Sequence, residues 1–183
     1  MKKYIIISVL LIAGILPAYS QKYITKTGHI KFFSDSPLEK IEAHNRQVKA
    51  GLDMATGDFQ FIVLMKSFEF EKALMQEHFN ENYVESDKFP NATFNGKINN
   101  IKEVDPARDG VYPVTVEGKL TIHGVSQPVT VKGTLESKSG KMPGKAKFTI
   151  MLADYDIKVP GAVANNISKS IEIMVDIVLE KIN

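Results

Sequence analysis

The sequence predicts an all-β fold of about eight antiparallel strands, a barrel or a sandwich, carrying one short helix. Three observations lead there. Apolar and polar residues alternate over most of the chain, the period of strands buried on one face and wet on the other. Clusters of Gly, Pro, Asp and Ser separate these runs at short intervals, as turns do. One segment, residues 71–80, loses the alternation and reads as helix.

Residues 1–20 stand apart from that fold. MKKYIIISVLLIAGILPAYSQ has two lysines, an apolar run over residues 4–16, and then Ala18 and Ser20. These are the three regions of a secretory signal peptide, expected to be cleaved after Ser20. The run is shorter than the ~20 residues that span a bilayer as a helix, so no transmembrane anchor is expected after cleavage. No cysteine follows it to carry a lipid. The product, residues 21–183, is expected to be one domain, long enough to bury a substantial core. Its charge is balanced, because Lys2 and Lys3 leave with the signal and the precursor has 23 basic and 21 acidic residues. Such a chain lacks the basic excess that a phosphate backbone demands, and nucleic acid is excluded as a partner. An exported chain without cysteine relies on burial for its stability. The expected compartment is the periplasm of a double-membraned bacterium, and the Asn-x-Ser/Thr triplets at Asn91 and Asn166 are read as chance.

The strands follow in order. GHIKFF places Ile30 and Phe32 on one face, and IEAHNRQVKAGLD forms a weaker second strand. DFQFIVLM aligns Phe59, Phe61, Val63 and Met65, and ATFNGKI aligns Phe94 and Ile98. In VYPVTVEGKLTIHG, Val114, Val116, Gly118, Leu120 and Ile122 oppose Thr115, Glu117, Lys119, Thr121 and His123. PVTVKGTL repeats the pattern with Val129, Val131, Gly133 and Leu135, and the two runs are expected to form a hairpin turning around residues 124–128. KAKFTIML aligns Ala146, Phe148, Ile150 and Leu152; SIEIMVDIVLE aligns Ile171, Ile173, Val175, Ile177 and Leu179. Gly96, Gly118 and Gly133 fall inside strands, where glycine relieves curvature. An eight-stranded barrel leaves room for one small ligand. A packed sandwich core would show the same periodicity, so the pattern alone leaves both architectures open.

Residues 71–80 contain no Gly or Pro, and their Ala, Leu, Met, Gln and Glu favour helix. Leu74 stands four residues from His78, and Met75 four from Phe79, so the four share one face. Glu69 and Glu71 are expected in the first turn, where the helix dipole favours negative charge. Phe68 and Phe70 would anchor its start as a lid over an apolar interior. Chemistry at His78 has little support. His29, His44, His78 and His123 are isolated in sequence, whereas a zinc site needs three or four convergent ligands. Glu77 and His78 point about 100° apart on a helix. There is no G-x-S-x-G elbow, and nothing fixes Ser67 or Asp87 against His78. The His78 ring would meet either a ligand head or a backbone carbonyl, and His123 reads as a turn-capping or surface residue.

Two segments carry a resemblance. KLTIHGVSQPVTV is similar to the LTIHGVTKPV hairpin of the YceI-like family of exported bacterial proteins, and HFNENYVESDKFPNATF resembles its HLRSxDFFDVxKYPxITF segment. FTIMLADYDI matches the penultimate strand of that family more loosely, and the likeness runs over residues 23–179. It implies an eight-stranded antiparallel up-and-down, lipocalin-like barrel with an elongated apolar tunnel for a polyisoprenoid or similar amphiphile, and a short α-helix near the mouth. Where the family commonly carries Arg-Asp-x-His, this chain has Met75, Gln76, Glu77 and His78, and Leu152 replaces a frequent arginine. If those charges meet an anionic head, their loss shifts the expectation toward a neutral lipid or quinone.

The reading that follows is non-enzymatic binding of a long apolar lipid, without metal, cofactor or catalytic residues. Phe59, Phe61, Val63, Phe94, Leu120, Ile122, Phe148, Ile150 and Leu152 are expected to line the tunnel, with Phe68, Phe70, Leu74, Met75, His78 and Phe79 at its mouth. A homodimer is kept open. The alternatives are a ligand-free interaction barrel with a filled interior, and a hydrolase or metal site around His78.

Overall fold

The computed structural model describes residues 22–182, so the signal peptide expected at residues 1–20 lies outside the described residues. The strands are β1 (Lys22–Asp35), β2 (Lys40–Asp53), β3 (Asp58–Leu64), a two-residue β4 (Glu69–Phe70), β5 (Asn91–Ile98), β6 (Gly110–Ile122), β7 (Val125–Ser137), β8 (Lys141–Met151) and β9 (Ser170–Lys181). They hydrogen-bond in the order β1-β9-β8-β7-β6-β5-β3-β2-β4, and a further β1–β2 pairing joins the first strand to the second. That last pairing closes the eight long strands into an antiparallel barrel. Closure settles the choice between barrel and sandwich, and it removes the outer edges that an open sheet would expose to other chains.

The connections give the barrel two unlike ends. The base carries a short turn after β2, residues 99–109, and a two-residue tip at Ser139 and Gly140, both at positive φ. The mouth carries residues 36–39, the long 65–90 excursion, the β6–β7 turn and residues 152–169. Inward side chains form one cluster at each end. Leu52, Ile98, Met142 and Leu179 are essentially inaccessible in the base cluster. Ala43, Val48, Phe68, Val84 and Tyr155 belong to the mouth cluster.

Two local expectations need correction. The β6–β7 hairpin does not turn around residues 124–128: Ile122 pairs with Val125, leaving His123 and Gly124 as a two-residue turn. Both have positive φ (51° and 76°), the backbone that matches strand twist in tight hairpins. Pairing therefore continues through Pro128, which faces Lys119. The helix is also displaced. The α-helical turn α1 spans Ala73–His78 and widens into a π-helical segment over Phe79–Tyr83. Glu69 lies in β4 and Glu71 precedes the helix, so neither sits in its first turn.

Gly96 and Gly118 face one another across β5 and β6. A Cβ on Gly96 would lie 2.5 Å from Phe94 Cζ, and one on Gly118 would lie 2.7 Å from the same atom. The two glycines thus leave space for the Phe94 ring against the wall, in addition to easing curvature.

Candidate functional site

The barrel interior between the two ends is hollow. A cavity of about 400 Å³ runs from Ile98, Val114 and Ile177 near the base to Met75, His78 and Val163 at the mouth. Its wall is formed by the inward positions of the strands, and the side chains there are overwhelmingly aliphatic or phenyl. Along the barrel the wall offers few polar partners to water, and the polar groups that border the space, among them Ser34, Glu39, His78 and Asn166, stand mostly toward the mouth.

All but one of the residues singled out from the sequence border this space. Phe59, Phe61, Val63, Phe94, Leu120, Ile122, Phe148, Ile150 and Leu152 line it along the barrel. Phe68, Phe70, Met75, His78 and Phe79 line it at the mouth. Leu74 is the exception, at 60% exposure. On a helix Leu74 lies about 40° from His78 but about 100° from Met75 and about 140° from Phe79, so it falls on the outer edge of the stripe whose centre faces the interior. It projects away from the interior and is withdrawn from the mouth set.

The lid is fastened by aromatic contacts. Phe79 lies 5.5 Å from Phe32, 5.6 Å from Phe68 and 5.1 Å from Phe70, between ring centroids. Phe32 touches both Phe68 and Phe70 as well. The wider π turn is closed by Val84 N–H donating to the Phe79 carbonyl, and it directs Phe79, Tyr83 and Val84 together into the cavity. Phe32 and Tyr83 were not in the sequence-derived set. The alternation already placed Phe32 inward, whereas no local pattern announces a π turn.

Polar groups gather at the mouth. Glu39 borders the cavity and accepts hydrogen bonds from Lys72 Nζ (3.2 Å) and Asn166 Nδ2 (3.3 Å). These two donors, Lys72 foremost, hold its carboxyl below the usual range and keep it ionised. Burial pushes the Tyr83 hydroxyl above its ordinary pKa. Among the described residues no hydrogen bond fixes the His78 ring. Ser67 Oγ donates to Gln47, and Asp87 pairs with Lys66, so neither is engaged with His78. Among the described residues no group of three or more His, Asp or Glu could hold a metal ion. No helix of the described residues is long and apolar enough to cross a membrane.

His123 does not line the cavity and is not a surface residue. Its side chain is 12% exposed, with Nε2 2.7 Å from Glu85 Oε2 and Nδ1 3.2 Å from the Tyr155 carbonyl. Phe89 packs edge-on against the imidazole at 4.8 Å. The turn histidine thereby ties the β6–β7 tip to the segment after the helix and to the 152–169 connection.

Comparison with known proteins agrees with this architecture. No curated protein matches the chain. Among solved structures it is similar to a polyisoprenoid binding domain from Saccharophagus degradans implicated in plant cell wall breakdown, with TM-score 0.77 at 14% identity over 89% of this chain and 99% of that one. It is similar to BcnA of Burkholderia cenocepacia, with TM-score 0.66 at 20% identity over 83% of this chain and 95% of that one. A YceI protein of Campylobacter jejuni superposes with TM-score 0.57 at 14% identity over 100% of this chain and 99% of that one. At these identities the structural likeness shows the shared fold. The sequence profile of the YceI-like domain matches residues 23–179, and the chain belongs to the YceI-like family.

Proposed function

We propose that this protein is a non-enzymatic, exported carrier that holds a long, neutral lipid, such as a polyisoprenoid alcohol or isoprenoid quinone, inside its barrel in the periplasm. The observation that carries the reading is the cavity of about 400 Å³ with a predominantly apolar wall. Its size falls in the ~300–1,000 Å³ range of small-molecule sites. Binding there would draw on burial, at ~0.8 kcal/mol for each enclosed methylene, offset in part by ordering the chain. The polyisoprenoid-binding relative supports an isoprenoid ligand.

The mouth chemistry supports a neutral head. Glu39 is ionised at the opening, and Met75 and Leu152 present apolar surface. An anionic head would have to compete with this carboxylate for Lys72, its ion-pair partner. The hydroxyl of Tyr83 and the ring of His78 are suited to donate or accept hydrogen bonds with an alcohol or a quinone carbonyl. Titration with geranylgeraniol and with geranylgeranyl phosphate tests the reading. The alcohol is expected to bind at least about tenfold more tightly, a difference of ~1.4 kcal/mol. Failure of both to bind, or preference for the phosphate, contradicts it. A turnover of the wild type that His78→Ala abolishes would overturn the non-enzymatic assignment.

A further inference from the structure

The barrel wall is not equally sealed around its circumference. β6 and β7 pair through thirteen residues, from Gly110 opposite Ser137 to Ile122 opposite Val125. β8 and β9 pair through eleven. Between β7 and β8 only Gly133–Ala146, Thr134–Lys145 and Leu135–Gly144 are paired, all toward the base. From there to the mouth, residues 125–132 of β7 and 147–151 of β8 share no ladder. At the top the gap is spanned by a side chain, Gln127 Nε2 donating to the Asp154 carbonyl at 2.7 Å.

Both margins of this gap belong to the cavity wall. Val129 and Val131 line it from β7, and Phe148 and Ile150 line it from β8. Gly133 and Ala146 of the last paired rung border the same space, as do Thr134 and Lys145 of the rung below it, so the cavity reaches the wall where the ladder stops. The mouth is obstructed by comparison. There Phe79 with the three phenylalanines around it, and the bonds from Lys72 and Asn166 to Glu39, stand at the opening.

We propose that the unzipped upper half of the β7–β8 seam is the portal through which a long-chain lipid passes sideways between a bilayer and the cavity. This rests on the lipid-carrier reading above. The physical reason is the cost of the alternative. A chain drawn end-on through a closed mouth exposes its methylenes to water together, at ~0.8 kcal/mol each. A lateral slot lets each one exchange bilayer for cavity in turn. Widening the upper half of the seam breaks no paired rung, whereas β6–β7 and β8–β9 are paired along their length. The β2–β3 seam has only four paired rungs, but above them Asn45 Nδ2 donates to the Leu64 carbonyl and β4 pairs with β2.

Cross-linking tests the assignment, and the absence of native cysteine makes it clean. Continuing the β7–β8 register from Gly133–Ala146 sets Thr130 opposite Thr149, both exposed. Thr130→Cys/Thr149→Cys, bridged by a short bismaleimide, straps the gap. Glu117→Cys/Thr130→Cys places the same bridge on the paired β6–β7 seam as a control. Each protein is loaded with parinaric acid methyl ester, and transfer of this fluorescent neutral polyene to phosphatidylcholine vesicles is timed. The strap across the gap is expected to slow transfer at least about tenfold, ~1.4 kcal/mol on the barrier, and the control about twofold or less. Unchanged transfer through the strapped gap, or equal slowing by both bridges, overturns the portal and leaves the carrier reading standing. If the protein without a bridge takes up no polyene, the carrier reading falls and the portal with it.

Discussion

The base and the mouth of the barrel are built from the same alternating strands but held by different forces. The base is closed by side chains packed on side chains: Leu179 and Ile98 have no accessible surface and Met142 has 1%. The mouth buries an apolar cluster of its own, with Ala43, Val48, Val84 and Tyr155, but its connections are also stitched through hydrogen bonds. Ser34 Oγ accepts from Ser168 N–H, Leu38 N–H donates to the Asn165 carbonyl, and Glu39 receives Lys72 and Asn166. Hydrogen-bonded stitches contribute about 1 kcal/mol each, and less when exposed, whereas burial at the base scales with area. The proposed portal in the β7–β8 seam opens toward the end whose connections are held by individually weak bonds.

This contrast can be broken at several points. The largest effect is expected at the base, where Leu179→Ala leaves a cavity with no room to collapse. It should cost ~2–5 kcal/mol in urea unfolding. A loss under ~1 kcal/mol would mean that the base is not the packed end. Next comes Gly118→Ala, whose Cβ would stand 2.4 Å from the Asn95 carbonyl oxygen and 2.7 Å from Phe94. The shift required of β5 is expected to cost ~1–3 kcal/mol, read as a lowered urea midpoint.

Phe61→Ala sharpens the comparison, because Phe61 contacts both clusters and also lines the cavity. Its loss should cost less than the ~3–5 kcal/mol of a packed site, since one side of the ring already faces empty space. Geranylgeraniol affinity should fall instead. A full packing penalty with unchanged affinity would contradict the hollow interior.

The smallest effect concerns acid. His123, as the main hydrogen-bond donor, holds the Glu85 carboxyl below its ordinary value near 4.5. A carboxyl depressed in the folded state adds stability that is complete above the unfolded pKa and is lost as pH falls through the folded one. The Glu85–His123 tie should therefore weaken only below about pH 4.5. Glu85→Gln should flatten the acid limb of a Tm–pH profile in that window. An equal acid slope in both proteins would show that the tie is energetically silent.

The wall was legible in the sequence because strand parity fixes which side chains face inward, and each strand needs only its own alternation to reveal it. The tunnel residues from Phe59 to Leu152 follow from that rule. Closure into a barrel was not written in periodicity, since a sandwich buries the same faces; the β1–β2 pairing that decides it joins the N-terminal strand to its neighbour across the ring. Leu74 was misplaced because the helix starts at Ala73 and its inward stripe is set by Met75, His78 and Phe79. Of the two readings of His123, turn-capping holds and surface does not: strict alternation was carried one residue too far, into a turn where its αL backbone and its bonds to Glu85 and the Tyr155 carbonyl place it. The gap between β7 and β8 leaves no trace in the pattern, because residues 125–132 alternate as well as any paired strand.

Native mass spectrometry of the protein purified from the cells that produce it tests the central claim most directly. The account predicts a population heavier than the bare chain by the mass of one lipid, with solvent extraction releasing a neutral isoprenoid and returning the chain mass. Only the bare mass, with no extractable lipid from folded protein, would contradict it.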